Sequence, residues 1–156
     1  MGPAGCGKTT VGKLLAAQLN LNFADADNFH SRSNVEKMAH GIPLGDAERI
    51  PWLNSIREAM LQWDSNGQNA VLACSALKQS YREILQANSN VKTVYLKGSC
   101  ELLRDRLLSR KGHYATEQLL ASQLADLEEP ADALTFDAAL SPKQIVRGIR
   151  TQLGLT

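Results

Sequence analysis

Three observations in the sequence predict an α/β fold, a parallel sheet covered by helices on both faces in three layers. Apolar segments of strand length alternate with amphipathic segments of helical period along the whole chain, which is the pattern of βα units and not of hairpins. The segment Gly2-Pro3-Ala4-Gly5-Cys6-Gly7-Lys8-Thr9 reads G-x-x-x-x-G-K-T and is followed by Thr10; a loop of this kind joins a strand to a helix in such folds. The length of 156 residues, 44% of them apolar, suits one domain with its own core, so residues 1–156 are expected to form a single unit.

The elements follow in order. Behind the glycine-rich loop, Val11, Leu14, Leu15 and Leu19 recur at i, i+3, i+4 and i+8 and mark the apolar stripe of a first helix. Leu21 to Ala26 is a short strand, Ser31 to His40 a helix, and Gly41 to Gly45 a loop. Leu53, Ile56, Met60 and Trp63 mark a helix from about Pro51. A start at Asp46 would leave the Ala47 carbonyl without its donor, because Pro51 has no N–H; a later start or a bent first turn is expected. Asn69 to Cys74 reads as a buried strand and Ala76 to Ala87 as a helix with Ser75 as its N-cap. Val91 to Lys97 is a strand, Cys100 to Ser109 and Thr116 to Leu127 are helices, and Leu134 to Leu140 is a strand. Pro142 to Leu153 closes the chain as a helix with proline in its first turn. One more strand is expected ahead of Gly2, where only Met1 stands. With the four visible strands it would make five, and without it neighbouring strands would carry unpaired backbone groups; the natural protein is therefore expected to begin several residues upstream of Met1.

Composition removes several classes of function. With 17 basic and 16 acidic residues the net charge is +1, so no charge imbalance points to nucleic acid or to an anionic membrane. No apolar run reaches the roughly 18 residues of a membrane span, and nothing reads as a signal peptide. Cys6, Cys74 and Cys100 are too few and too scattered for a zinc site or a disulfide framework, which suits a reducing cytoplasm.

The chemistry begins at the loop. Gly2, Gly5 and Gly7 open backbone conformations that let N–H groups approach a phosphate. Residues Gly2 to Thr10, with Pro3, Ala4 and Cys6 among them, thus form a nucleotide-binding loop. Lys8 reaches the β- and γ-phosphates of ATP and the Thr9 hydroxyl is placed for Mg²⁺. Asp25 and Asp27 stand two apart at a strand end, so they are expected on one side. One carboxylate, Asp25, suits Mg²⁺; the other, Asp27, suits the proton of an attacking hydroxyl. Lys78 and Arg82 at i, i+4 make a basic helix face for an anionic group. Arg106 and Arg110, with Gly112 as hinge, suit a cationic lid over about residues 110–128. Gln123 interrupts the apolar stripe of Leu119, Leu120, Leu124 and Leu127; it needs a partner, either nearby backbone or a polyhydroxy substrate. His30, Asn34 and Lys37 form a polar row beside the cleft, and Cys74 reads as a core residue.

Taken together these stretches resemble the small gluconate kinases of the P-loop kinase superfamily. The likeness rests on Gly2 to Thr10, Asp25-Ala-Asp27-Asn-Phe-His30, Asn34-Val-Glu-Lys37-Met38 and Gly41-Ile-Pro-Leu44. It continues through Asp46, Arg49-Ile-Pro-Trp-Leu53, Ala73-Cys-Ser-Ala-Leu-Lys78, Tyr81-Arg82, Leu96-Lys-Gly98, Arg110-Lys-Gly-His113, Ser122-Gln123 and Leu127-Glu-Glu-Pro130. The resemblance implies the P-loop nucleoside triphosphate hydrolase fold with a helical lid. It also implies ATP- and Mg²⁺-dependent phosphorylation of D-gluconate at its 6-hydroxyl, in a cytoplasmic and often dimeric enzyme. It implies roles for Lys8, Thr9, Asp25 and Asp27 as above and for Arg106 and Arg110 on the nucleotide and lid side. His30, Asn34, Lys37, Ser75, Lys78, Arg82 and Gln123 are implied to contact substrate or the transferred phosphoryl group. The chain departs from the family pattern at Cys6, where serine is usual, and at Tyr114-Ala115. Two other readings stay open: a kinase for another sugar acid or a shikimate-like acceptor, and an inactive chain that binds nucleotide or a partner.

Overall fold

The computed structural model describes residues 1–86, 88–109 and 113–155. In chain order its elements are α1 (Lys8–Leu19), β1 (Asn22–Asp25), a 3-10 turn (Ala26–Phe29), α2 (Arg32–Ala39), α3 (Asp46–Ser65), β2 (Ala70–Ala73), α4 (Gln79–Leu85), β3 (Val94–Lys97), α5 (Cys100–Leu108), α6 (His113–Asp126), β4 (Leu134–Asp137) and α7 (Pro142–Leu153). Among the described residues every strand pair is parallel, β1 with β2 and β3 with β4.

Local chemistry sets the boundaries. Ser31, Ser99 and Ser141 cap α2, α5 and α7, each hydroxyl accepting the N–H three residues on. Helix α3 starts a turn before Pro51, which corrects the later start expected. The Glu48 carboxylate accepts the Gly45 N–H at 2.9 Å, and Ala47 stands at the exposed surface, where water can satisfy the carbonyl that Pro51 leaves without a donor. Helix α6 starts at His113, also earlier than expected. Helix α4, by contrast, starts at Gln79, and Ser75 is not its cap. Ala76 takes a left-handed conformation with φ 46°. The segment it turns wraps around Arg82, whose guanidinium donates to the Ala76 and Leu77 carbonyls at 2.9 Å each. The left-handed alanine costs about 1–2 kcal/mol, which these charge-assisted bonds offset.

Strand alternation covers both faces of the sheet, giving the three layers. On β2, Val71 joins the cluster of Val11, Leu15, Ile145 and Ile149 from α1 and α7. Its neighbour Leu72 joins Trp52, Leu53, Ile56 and Leu85 from α3 and α4 on the other side. Gly12 lets α1 sit close on β1, since a Cβ there would lie 2.8 Å from the Phe23 ring.

Backbone hydrogen bonds at the start of the phosphate loop join the two strand pairs. Met1 donates its amine to the Val94 carbonyl; its own carbonyl accepts the Leu96 N–H at 3.0 Å, and the Gly2 N–H donates to Ser75 O at 3.2 Å. Beside this bridge lies a cleft of about 710 Å³, lined by Val71, Ala73, Val94 and Leu96 from the strands and Val11 and Leu15 from α1. It explains why β2 is half-buried along most of its length, not fully buried as expected. Among the described residues both bordering strands have a strand partner on one side only, and apart from the bonds of β3 to Met1 their other edges border the cleft. Joining five apolar, β-forming residues ahead of Met1 is expected to raise the thermal midpoint by at least ~5 °C, from added burial and strand pairing. The same extension with prolines at alternate positions is expected to give no such gain; calorimetric scans of the two chains check this.

Candidate active site

The phosphate loop runs from Met1 to the first turn of α1. Gly5 is left-handed at φ 83°, and a Cβ on it would meet the Leu103 carbonyl at 2.9 Å, so glycine is required there. Gly7 forms the N-cap of α1, which leaves the N–H groups of Lys8, Thr9 and Thr10 at the positive end of the helix. Lys8 Nζ donates to the carbonyls of Gly2 at 2.9 Å and Pro3 at 3.0 Å, folding back over the loop. Arg106 Nη1 reaches the Gly5 carbonyl at 3.4 Å and its Nη2 the Ala138 carbonyl at 2.8 Å; it braces the loop against the end of β4. The Cys6 thiol is buried in the core.

Beside the loop, Thr9 Oγ1 donates to Asp25 Oδ2 at 3.2 Å. A hydroxyl and a carboxylate at a helix N-terminus are hard oxygen donors, and Mg²⁺ bound with a nucleotide takes only one or two protein groups of this kind. Thr9 and Asp25 therefore fit that ion. Asp25 ends β1, but Asp27 lies in the 3-10 turn, so strand alternation does not relate them as expected. Asp25 Oδ1 instead accepts the Asp27 N–H at 3.1 Å and fixes the turn, leaving the Asp27 side chain exposed.

Across from the loop, α2, α3, α4 and the end of α6 present a web of polar groups. His30 stacks on Trp52 with ring centroids 4.3 Å apart. Asn34 is buried and its Nδ2 donates to the Glu48 carbonyl at 3.2 Å, with His30 Nδ1 at 3.4 Å. Lys37 pairs with Glu48 at 2.7 Å. Arg49 Nη1 donates to Asp126 Oδ2 at 3.2 Å and Tyr81 OH at 3.3 Å. Tyr81 OH donates to Asp46, which Lys78 also approaches at 3.4 Å. The Tyr81 hydroxyl chiefly, and Lys78 after it, hold the Asp46 carboxyl below the usual carboxylate range.

The structure thus brings together Lys8, Thr9, Asp25 and Arg106 around the loop, and His30, Asn34 and Lys37 on the facing side. Ser75 adjoins the loop through its carbonyl. Of the two roles open to Gln123, the hydrogen bond to backbone is the one made: its Oε1 accepts the Ala4 N–H at 2.6 Å. Arg82 is a correction. It does not share an open basic face with Lys78; it is buried and its donors go to Ala76, Leu77 and Gln79, because the loop before α4 needs a donor at its centre. Arg110 and the hinge at Gly112 lie outside the described residues. Cys74 is a core residue, and burial pushes its thiol up to about 11. Sequence reasoning gave no role to Arg49, Tyr81, Asp46 or Asp126. Asp46 and Arg49 share a face of α3 at i, i+3, but the partners of Asp46 lie 32 and 35 residues away and those of Arg49 32 and 77, beyond any local pattern.

A glycine-rich phosphate loop at a helix N-terminus, with a carboxylate bonded to the first-turn threonine, on parallel strands covered by helices defines a P-loop kinase. The family model described as "Shikimate kinase" matches residues 4–153. A "Probable gluconokinase" of Mus musculus is 44% identical over 154 residues, covering 87% of this chain and 84% of that protein. A crystal structure of an unliganded sugar kinase from Janibacter sp. HTCC2649 superposes with TM-score 0.90 at 39% identity, covering 100% of this chain and 92% of that one. A gluconokinase from Sinorhizobium meliloti 1021 superposes with TM-score 0.87 at 36% identity, covering 99% and 89%. The chain belongs to the gluconokinase family within the shikimate kinase-like P-loop kinases.

Burial holds the His30 pKa below its ordinary value, with Arg49 adding to the shift and Asp27 opposing it. A depressed histidine pKa means that the unfolded chain binds the proton more readily. The stabilisation is complete above the ordinary value of about 6.5 and is lost as pH falls through the folded value. The thermal midpoint is therefore expected to drop between pH 7 and pH 5, and His30→Phe, which keeps the stack on Trp52, is expected to flatten part of that drop. Equal slopes for the two proteins would contradict the assignment.

Proposed function

We propose that this protein transfers the γ-phosphoryl group of ATP to the 6-hydroxyl of D-gluconate, giving 6-phospho-D-gluconate. The observation that carries the reading is the junction of Thr9, Asp25 and Asp27, a hydroxyl–carboxylate pair suited to Mg²⁺ beside an exposed carboxylate at the phosphate loop. The family membership and the names of its relatives support gluconate over a shikimate-like acceptor.

In this reading the backbone N–H groups at the start of α1 hold the phosphates, and Lys8 exchanges the Gly2 and Pro3 carbonyls for phosphate oxygens. Thr9 and Asp25 hold Mg²⁺, which when bound neutralises phosphate charge. Asp27 accepts the proton of the attacking hydroxyl. Arg106 keeps the loop in shape, and Arg110 serves the developing charge from the lid. On the acceptor side His30, Asn34, Lys37, Ser75 and Lys78 line the sugar acid, and Arg49, a half-buried cation, is the group best suited to its carboxylate. Cytoplasmic location and a homodimeric state belong to the same proposal and rest on the family resemblance. No helix among the described residues is long and apolar enough to cross a membrane.

A panel of sugar acids and shikimate, assayed by coupled ADP release, tests the acceptor; gluconate is expected to give the highest kcat/KM, and no preference for it overturns the choice. Asp27→Asn is expected to lower kcat with gluconate by roughly 10²–10⁴-fold while leaving ADP binding near that of the parent. Full turnover by the variant would remove Asp27 from the role of base.

A further inference from the structure

We infer that Gln123 is a positioning residue for the phosphate loop, through which α6 fixes the shape of the nucleotide site. The inference rests on the nucleotide-binding half of the reading above and does not need gluconate to be the acceptor.

The contact is specific. Pro3 has no N–H, so Ala4 carries the first backbone donor after Gly2 in the loop. That N–H turns out of the loop and donates to Gln123 Oε1 at 2.6 Å, across 119 residues of sequence. With the Ala4 N–H fixed outward, the Cys6 N–H closes a turn onto the Pro3 carbonyl at 3.3 Å, and the chain is delivered to Gly7 at the head of α1. Gln123 is itself held in place. Its neighbours Leu120 and Leu124 are seated in the cluster that also contains Cys6, Val11 and Leu103, so the side chain leaves α6 from a packed face. One turn on, Asp126 takes Arg49 at 3.2 Å. Beyond the helix, Glu128 donates its N–H to Leu77 O at 2.9 Å and accepts the Gln79 N–H. One helix end is thereby tied to the loop, to α3 and to the start of α4.

The chemical type also fits the task. An amide oxygen accepts the loop N–H without placing a charge beside bound phosphates, whereas a carboxylate there would repel them. A hydrocarbon would leave the Ala4 N–H unpaired in a half-buried position, at the cost of a lost hydrogen bond. Gln123 therefore acts through Ala4 and touches neither substrate, which distinguishes it from the sugar contact that sequence alone leaves open.

The test measures MgADP binding by calorimetry and exchange of the Ala4 amide by NMR, in the full chain and in Gln123→Leu and Gln123→Glu. Gln123→Leu is expected to weaken MgADP roughly three- to tenfold, the size of one lost hydrogen bond, with faster Ala4 exchange and a thermal midpoint within a few degrees of the parent. Gln123→Glu keeps the acceptor, so Ala4 protection is expected to persist while MgADP binding still weakens through charge repulsion. Should Gln123→Leu fail to fold, Gln123→Met, which keeps the length of the side chain, takes its place. Parent-like MgADP affinity in the leucine or methionine variant, or unchanged Ala4 exchange in both, would overturn the inference. Failure of gluconate to stimulate ADP release in the parent would defeat the acceptor assignment and leave this result standing.

Discussion

A glycine-rich loop has no secondary structure of its own, so its shape must be imposed from outside. That constraint organises the rest of the molecule. Gly2 is held to the strand end at Ser75, Ala4 to Gln123, Gly5 to Arg106, and Gly7 is the first residue of the helix cap. Each contact comes from a different part of the chain, and each is worth about 1 kcal/mol. Small terms suffice because glycine removes steric barriers and leaves the loop free to follow its anchors. The N–H groups that remain face the open side, at the positive end of α1.

The facing wall obeys a second rule, that buried or half-buried charges need partners. Lys37 has Glu48, Arg49 has Asp126, Lys78 has Asp46, and Arg82 has the Ala76 and Leu77 carbonyls and the Gln79 amide oxygen. Among the described residues no buried side-chain nitrogen or oxygen lacks a partner. The pairs differ in exposure, and exposure decides what they can do. Arg82 is sealed and fixes the loop before α4. Arg49, Lys37 and Lys78 remain partly open to solvent, so an incoming anionic or polyhydroxy ligand can exchange with their present partners at little cost.

Much of this was legible in the sequence because it is local. The glycine-rich motif fixed the loop, and the stripe through Val11, Leu15 and Leu19 fixed the helix behind it. The helix starts expected at Ser31, Cys100 and Pro142 lie within a residue of those observed. The errors arose where distant partners override local rules. Pro51 argues against a helix start at Asp46 only if the Ala47 carbonyl must be paired, and exposure lifts that requirement. Ser75 looks like a cap until Ala76 turns left-handed to enclose Arg82. The spacing of Lys78 and Arg82 predicts a shared face, but spacing says nothing about which way a face looks. The tie between Arg49 and Asp126 spans 77 residues and could be found only in three dimensions, as could the choice of Gln123 between ligand and backbone.

The acid pair raises an electrostatic problem whose resolution favours the proposed reading. Asp25 and Asp27 stand beside a loop built to hold a polyanion, and like charges gathered there repel one another. Lys8 offsets only part of this. Each carboxylate needs a cationic or donor partner in the bound state, and the two differ in what is available. Asp25 already engages the Thr9 hydroxyl and the Asp27 N–H, which hold its carboxylate beside Thr9. Asp27 is exposed, and it is its N–H that meets Asp25. In the proposed reading the pair supplies a fixed anion and a base, and a 3-10 turn takes Asp27 out of the strand register of Asp25. An unbroken strand would have carried both carboxylates to one side in equivalent surroundings, with no such division of roles.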